Sequence, residues 1–173
     1  MKDNIVLIGM PGSGKSTVGV VLAKRLAYDF VDSDLVIQAK AGMRLQNYID
    51  QFGPDAFEDL ENKVNAGLNV HHTVIATGGS AVYGEDAMRH FQDIAVIVYL
   101  KVSFEELQNR IPDFETRGIV IPKGQSFQDV YNIRSQLYER YADITVGSEK
   151  IRFWDLAEEI SRKVGDFRTA QDS

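Results

Sequence analysis

Residues 5–16 of the chain read IVLIGMPGSGKS. The four apolar residues 5–8 predict a short strand that is buried on both faces, as in a parallel sheet. Residues 9–16 match the pattern G-x-x-x-x-G-K-[ST] of a phosphate-binding loop. In such a loop, glycines let backbone N–H groups converge on phosphate oxygens, and the following helix directs its positive end at the same oxygens. This stretch therefore predicts a nucleoside triphosphate site beside a parallel sheet.

The motif gives each of its residues a chemical role. The Lys15 ammonium is expected to reach the β- and γ-phosphates, and the Ser16 hydroxyl is expected to bind Mg²⁺. The remaining candidates for nucleotide binding lie in the loop and at the start of its helix: Gly12, Ser13, Gly14 and Thr17.

Elsewhere, short apolar runs alternate with amphipathic stretches. Strands are predicted at residues 5–8, 30–31, 73–77, 94–100 and 144–146. Helices are predicted at residues 16–27, 35–41, 45–52, from Pro54 onward, and at 104–110, 127–141 and 153–164. This alternation predicts a single α/β domain over residues 1–173, with a central parallel five-stranded sheet between two layers of helices.

Two segments are predicted to be insertions on this core. Residues 34–62 form a candidate substrate-binding insertion, and residues 111–124 form a loop long enough to be a lid. We expect Trp154 to pack the carboxy-terminal helix on the core. Residues 165–173 are polar and are predicted to be a frayed tail.

Composition excludes several classes of protein. The 173 residues include 19 Lys+Arg against 25 Asp+Glu, a net charge of −6, which argues against a nucleic-acid-binding protein. The chain has no cysteine, which excludes disulfides and thiolate chemistry and fits a reducing compartment. No apolar run approaches the length of a membrane span, and no signal peptide is evident. We expect a cytoplasmic monomer with no nucleic-acid or membrane partner.

The rest of the sequence narrows the kind of P-loop protein. A GTPase would carry N-K-x-D late in the chain, whereas the nearest string is NKVN at residues 62–65. The small size and the two insertions favour a small-molecule kinase, which must close over its substrates to keep water from the transferred phosphoryl group.

Motifs after the P-loop resemble those of the shikimate kinase family, within the nucleoside-monophosphate-kinase-like P-loop fold. They read DSD at residues 32–34, GPDAFEDLE at 53–61, ATGG at 76–79, VYL at 98–100 and RSQLY at 134–138. The resemblance covers residues 4–146. It implies an ATP- and Mg²⁺-dependent transferase that phosphorylates a small cyclic polyol acid, converting shikimate to 3-phosphoshikimate in aromatic amino acid biosynthesis.

The resemblance also implies roles for single residues. Asp32 would hold Mg²⁺ through water, and Asp34 would orient or deprotonate the attacking hydroxyl. Arg117 on the lid would stabilise the charge of the transition state, so Lys15, Asp34 and Arg117 are the expected catalytic residues. Arg110 would lie against the adenine or the phosphates. The expected acceptor-binding residues are Asp34, Glu58, Gly78, Gly79 and Arg134, with Arg134 binding the acceptor carboxylate.

The chain departs from the family pattern at the acceptor side. The family motif F-R-x-x-E has arginine where this chain has Glu58, and Ser80 replaces the third glycine of a triple glycine. The lid reads RGIV at residues 117–120, where the family has arginine, proline and two leucines. In the family, the missing arginine shares the substrate carboxylate with the arginine that matches Arg134.

Three hypotheses follow from these departures. The chain is a shikimate kinase in which another arginine compensates, with Arg44 as the candidate. Alternatively, it is a kinase of a different small hydroxylated acceptor, neutral or bearing an amine that pairs with Glu58. The third hypothesis is an ATP-binding relative that no longer catalyses transfer.

Overall fold

A computed structural model describes residues 2–111, 119–149 and 151–171 of the protein. Five strands form one sheet, β1 (Asn4–Ile8), β2 (Asp29–Asp32), β3 (Thr73–Ala76), β4 (Ala95–Lys101) and β5 (Ile144–Gly147). Their order in the sheet is β2-β3-β1-β4-β5, and every neighbouring pair is parallel. The predicted parallel five-stranded sheet is confirmed.

Eight helices surround this sheet in the described residues. They are α1 (Lys15–Leu26), α2 (Ser33–Ala41), α3 (Leu45–Phe52), α4 (Pro54–Ala66), α5 (Glu85–Ile94), α6 (Phe104–Arg110), α7 (Phe127–Tyr141) and α8 (Phe153–Gln171), with a single 3₁₀ turn at Ala81–Tyr83. Most begin or end within one or two residues of the predicted positions. Within the part of the chain described, no helix is long and apolar enough to cross a membrane.

The sheet is buried on both faces, as the apolar run in β1 predicts. Alternate side chains of a strand point to opposite faces. Ile5 and Leu7 accordingly pack with residues of α1 and α8, including Leu22 and Leu156. The other face of the sheet packs against α5, α6 and α7. The result is the predicted three-layer α/β architecture.

The prediction of a frayed tail from residue 165 onward is wrong for the described part of that segment, because α8 continues to Gln171. Phe167 packs against the same core residues as the preceding turns of the helix. Arg168 donates hydrogen bonds to the Tyr28 hydroxyl at 3.1 Å and to the Asn4 carbonyl at 3.2 Å. These contacts hold the last turns, although the local sequence is polar.

The expectation that Trp154 packs on the core is also wrong, since its side chain is 53% exposed. Leu156, Ala157, Ile160 and Val164 form the buried stripe of α8. Trp154 lies outside that stripe because its position on the helix directs it away from α1.

Parallel strands bring several predicted site residues to one edge of the sheet. The P-loop follows β1, Asp32 ends β2, and the two glycines of the ATGG motif follow β3. Ligands of open α/β sheets bind at the carboxyl ends of the strands. Because β1 and β3 are adjacent, this edge carries the candidate site.

Candidate active site

The P-loop is shaped by glycine and anchored by its lysine. Gly14 caps α1 with φ +97°, in the left-handed region that favours glycine. A Cβ atom there would lie 2.9 Å from the ring of Phe153. Lys15 Nζ donates hydrogen bonds to the carbonyls of Gly9 at 2.7 Å and Met10 at 2.8 Å. The loop is thus closed around its own lysine, with the helix amino terminus directed at the cavity.

Burial changes the proton affinity of Lys15. The side chain is 7% exposed, and its desolvation lowers the pKa of the ammonium to about 8. Asp34 and Asp32 oppose that shift by their negative charge, whereas Arg134 adds to it. Lys15 therefore remains mostly protonated at pH 7, in a position to stabilise phosphate charge.

Ser16 and Asp32 lie together, as the sequence predicts. The Ser16 hydroxyl donates a hydrogen bond of 2.8 Å to Asp32 Oδ2. Asp32 Oδ1 accepts a hydrogen bond of 3.0 Å from the backbone N–H of Asp34, which caps α2. The Asp32 carboxylate thus caps the amino terminus of α2 and also places an oxygen atom beside the Ser16 hydroxyl.

Asp34 faces the cavity from the first turn of α2. Burial and the neighbouring Asp32 carboxylate raise the pKa of Asp34, while Lys15 opposes the shift. Gly78 lies against it, because a Cβ atom on Gly78 would come within 2.8 Å of Asp34 Oδ1 and 2.9 Å of Glu61 Oε1. Only glycine allows the backbone to approach both carboxylates, so this position places the end of β3 beside the candidate base.

Glu61 is a site residue that received no role from the sequence. It is 3% exposed, and its Oε2 accepts a hydrogen bond of 2.6 Å from the Ser80 hydroxyl. Its Oε1 has no hydrogen-bond partner among the described residues. Burial, with a smaller contribution from Asp34, raises the pKa of Glu61 to about 7. The signal available in the sequence was the position of Glu61 at the end of the segment that matches the family motif F-R-x-x-E.

Arg134 is a buried cation on α7. It is 4% exposed, its guanidinium stacks 5.4 Å from the centre of the Tyr83 ring, and its Nε donates to the Tyr83 hydroxyl at 3.4 Å. Within the described residues, no carboxylate oxygen lies within 4.0 Å of it. A buried charge is costly unless it is paired. Arg134 is thus suited to an anionic ligand.

Tyr138, one helical turn after Arg134, positions the loop that follows β3. Its buried hydroxyl donates a hydrogen bond of 2.6 Å to the Gly79 carbonyl. Burial raises the pKa of Tyr138, so the hydroxyl stays a donor. Tyr138 therefore fixes the glycine pair relative to α7, a role that the sequence did not assign.

A single cavity of about 690 Å³ joins these groups. Nine residues predicted to be in the site line it: Gly12, Gly14, Lys15, Ser16, Thr17, Asp34, Gly78, Gly79 and Arg134. Phe57, Glu61 and Ser80 line it as well, as do Ile119 and Val120 from the described end of the predicted lid. The P-loop and the buried arginine thus open on the same space.

The structure separates Glu58 from Arg44. Glu58 is exposed and lines a neighbouring cavity of about 290 Å³, together with Asp59 and Asp86. Partial burial of its carboxyl group and the nearby Asp55 raise the pKa of Glu58, and Arg134 opposes the shift. Arg44, at the amino-terminal cap of α3, lines the main cavity. The cationic candidate thus faces the acceptor space, and the acidic replacement faces the smaller cavity.

Arg110 and Ser13, two residues predicted to bind the nucleotide, do not line the main cavity and instead connect the P-loop to neighbouring segments. Arg110 donates to the carbonyls of Gly12 at 3.3 Å and Ser148 at 2.7 Å, and it pairs with Glu106 at 2.8 Å. Ser13 is fully buried, and its carbonyl accepts a hydrogen bond from the Ser148 hydroxyl. These contacts tie the P-loop to the segment after β5. Arg117, the predicted lid arginine, lies outside the described residues.

Comparison with known proteins agrees with this geometry. The shikimate kinase family model matches residues 11–165. A shikimate kinase of Pasteurella multocida (strain Pm70) is 35% identical over 153 residues, covering 86% of this chain and 87% of that protein. The structure of shikimate kinase from Acinetobacter baumannii in complex with shikimate has a TM-score of 0.87 and 29% identity, covering 95% of this chain and 93% of that one. The structure of the Aquifex aeolicus shikimate kinase has a TM-score of 0.80 and 28% identity, covering 94% of this chain and 96% of that one. The chain belongs to the shikimate kinase family.

Proposed function

We propose that this protein transfers the γ-phosphoryl group of ATP to a hydroxyl of shikimate, forming 3-phosphoshikimate and ADP. The observation that carries the proposal is the single cavity that joins the P-loop to Asp34 and to a buried arginine without a described carboxylate partner. A phosphate donor and a carboxylate-bearing acceptor would both find complementary charge in that space.

At the nucleotide end, the backbone N–H groups of the P-loop and the amino terminus of α1 bind the phosphates. Lys15 leaves its carbonyl partners to contact the β- and γ-phosphates, where its charge stabilises the transferring group. Arg110 lies beside Gly12 and the Phe153 ring lies beside Gly14, and we expect the nucleotide to extend along this side of the P-loop.

The oxygens of Ser16 and Asp32 fit a magnesium ion. A hydroxyl and a carboxylate oxygen 2.8 Å apart beside the phosphates are ligands that Mg²⁺ accepts, with water and phosphate oxygens completing its coordination. When bound, the ion would neutralise charge on the phosphates. The residues that would hold it are Ser16, directly, and Asp32, through water.

At the acceptor end, Asp34 accepts a hydrogen bond from the attacking hydroxyl and directs it at the γ-phosphorus. The raised pKa of Asp34 brings it closer to the value that a general base needs, so it can take the proton as the new P–O bond forms. Arg134 binds the carboxylate of shikimate, and the lid, with Arg117, closes over both substrates and excludes water.

The hypothesis of a different small hydroxylated acceptor depends on the negative charge at position 58. Glu58 lines the smaller cavity rather than the space between Asp34 and Arg134, which favours shikimate over a substrate with an amine. The non-catalytic alternative would leave Asp34 and its glycine neighbour without a chemical purpose.

We also propose that the enzyme acts in the cytoplasm as a monomer with no macromolecular partner. Size-exclusion chromatography would check the oligomeric state.

The test is a coupled assay of ADP release with ATP, Mg²⁺ and increasing shikimate. We expect ADP formation to depend on shikimate and to saturate. Asp34→Asn should lower kcat by a factor of 10² or more, while the KM for ATP stays within about twofold. No stimulation by millimolar shikimate would overturn the proposed function.

A further inference from the structure

We propose that Arg44 is a specificity-determining residue that binds the acceptor carboxylate together with Arg134. This inference rests on the proposed function and names the group that replaces the family's arginine at position 58. It assigns to an exposed residue of the α2–α3 connection a role that no motif in the sequence marks.

Arg44 lies where it can reach a ligand. It is the amino-terminal cap residue of α3. It is exposed and lines the same cavity as Arg134. Among the described residues, no carboxylate oxygen lies within 4.0 Å of its guanidinium. Arg44 is thus a cation in the cavity wall whose five N–H donors are open to an anion.

The charges of the cavity explain why a second cation is needed. The acceptor space already holds the carboxyl groups of Asp34 and Glu61, both within reach of Gly78. Lys15 faces Asp34 and is expected to bind the phosphates, which leaves Arg134 as the buried cation for Glu61 and the incoming substrate carboxylate. Like charges in a half-buried cavity repel strongly. Arg44 supplies a further positive charge for the incoming substrate carboxylate.

The two departures at positions 58 and 80 fit the same rearrangement. The buried Glu61 has Arg134 as a cationic neighbour, and the Ser80 hydroxyl donates to Glu61 Oε2 and holds it in place. Glu58 lies toward the smaller cavity, where it does not line the acceptor space. Relative to the family pattern, the second carboxylate-binding cation is therefore at the start of α3 rather than on α4.

The test compares shikimate with its carboxamide, which keeps the ring and hydroxyls but carries no charge. Steady-state kinetics would be measured for the wild type and for Arg44→Ala, Arg44→Lys and Lys40→Ala. Lys40 is the matched control, because it is an exposed cation of the same insertion that does not line the cavity. Circular dichroism and thermal unfolding would confirm that each variant is folded.

We expect Arg44→Ala to raise the KM for shikimate about tenfold, the loss of a charge-assisted hydrogen bond. The KM for ATP and the KM for the carboxamide should stay within about twofold. Arg44→Lys should fall between the wild type and Arg44→Ala, since it keeps the charge without the planar fork. Lys40→Ala should match the wild type.

Two results would overturn the role of Arg44. One is an unchanged KM for shikimate in Arg44→Ala, and the other is an equal rise for shikimate and its carboxamide. A wild type that does not turn over shikimate would instead overturn the proposed function, so the two failures are distinguishable.

Discussion

The two ends of the cavity differ in how their charges are satisfied. At the nucleotide end, the polar groups are hydrogen-bonded to other protein atoms. Lys15 donates to two carbonyls of its own loop, and Ser16 donates to Asp32. At the acceptor end, the described residues leave Arg134 without a carboxylate and Glu61 Oε1 without a donor. Lys15 and Ser16 at the nucleotide end belong to one continuous motif, whereas the acceptor end is assembled from distant segments. A site of the second kind can change one residue and compensate with another.

The largest expected effect is at the nucleotide end. Lys15→Ala should lower kcat by about a thousandfold, because it removes a preorganised charge from the transferring phosphate. Stopped-flow and steady-state ADP release would measure the loss. Lys24→Ala, an exposed lysine of the same helix, is the control and should behave like the wild type. A kcat within tenfold of the wild type would show that this end does not perform the chemistry.

The next effect is at the buried cation of the acceptor end. Arg134→Ala should raise the KM for shikimate about a hundredfold, since it removes hydrogen bonds to a charged group in a desolvated position. The KM for ATP should change far less. Arg140→Ala, an exposed position on the same helix, is the control. Equal rises in the KM for shikimate and the KM for ATP would mean that Arg134 does not act on the acceptor end alone.

A third prediction concerns the proton on Glu61. Its pKa is about 7 in the folded protein against an ordinary value of 4.5, so the folded state binds this proton more tightly than the unfolded chain. Between pH 4.5 and pH 7 the contribution of Glu61 to stability therefore falls as pH rises. Relative to the wild type, Glu61→Gln should gain about 3 kcal/mol in free energy of unfolding between pH 4.5 and pH 8.

Urea denaturation across this pH range would measure the difference. Asp59→Asn, an exposed carboxylate on the same helix, is the matched control, and its difference from the wild type should vary by about 0.5 kcal/mol or less. A constant difference between Glu61→Gln and the wild type would contradict a buried, protonatable Glu61.

The smallest effect is expected at Glu58. Glu58→Gln should lower the KM for shikimate only about twofold, because its exposed charge weakly offsets Arg134 from the neighbouring cavity. Kinetics with both substrates would detect this change. A tenfold or greater fall in the KM for shikimate would place the Glu58 side chain in the acceptor space. It would also remove the reason for assigning to Arg44 the carboxylate-binding role that the family's arginine has at position 58.

The same contrast explains what the sequence could predict. The P-loop and the sheet follow from local patterns, since a strand, a glycine-rich turn and a helix lie next to one another in the chain. The roles of Tyr138, Ser80 and Glu61 depend on hydrogen bonds between α7, the loop after β3 and α4. Pairings across the fold leave no periodic signal, so these residues could be named as landmarks but not given functions.

The carboxy-terminal helix illustrates a second limit. Its polar end predicts fraying, yet Arg168 contacts groups in β1 and just before β2 that are far away in the sequence. Trp154 has the composition of a core residue but lies off the buried stripe of the helix. Tertiary contacts decided the structure at both positions, against local preference.

The most direct test is to identify the product. The wild type would be incubated with ATP, Mg²⁺ and shikimate, and the reaction followed by phosphorus NMR with proton coupling. We predict that the γ-phosphate signal is replaced by one phosphomonoester signal coupled to the ring proton at carbon 3 of shikimate, in equal amount to ADP. Inorganic phosphate as the only new signal besides those of ADP, or an unchanged spectrum, would contradict transfer between the two ends of this cavity.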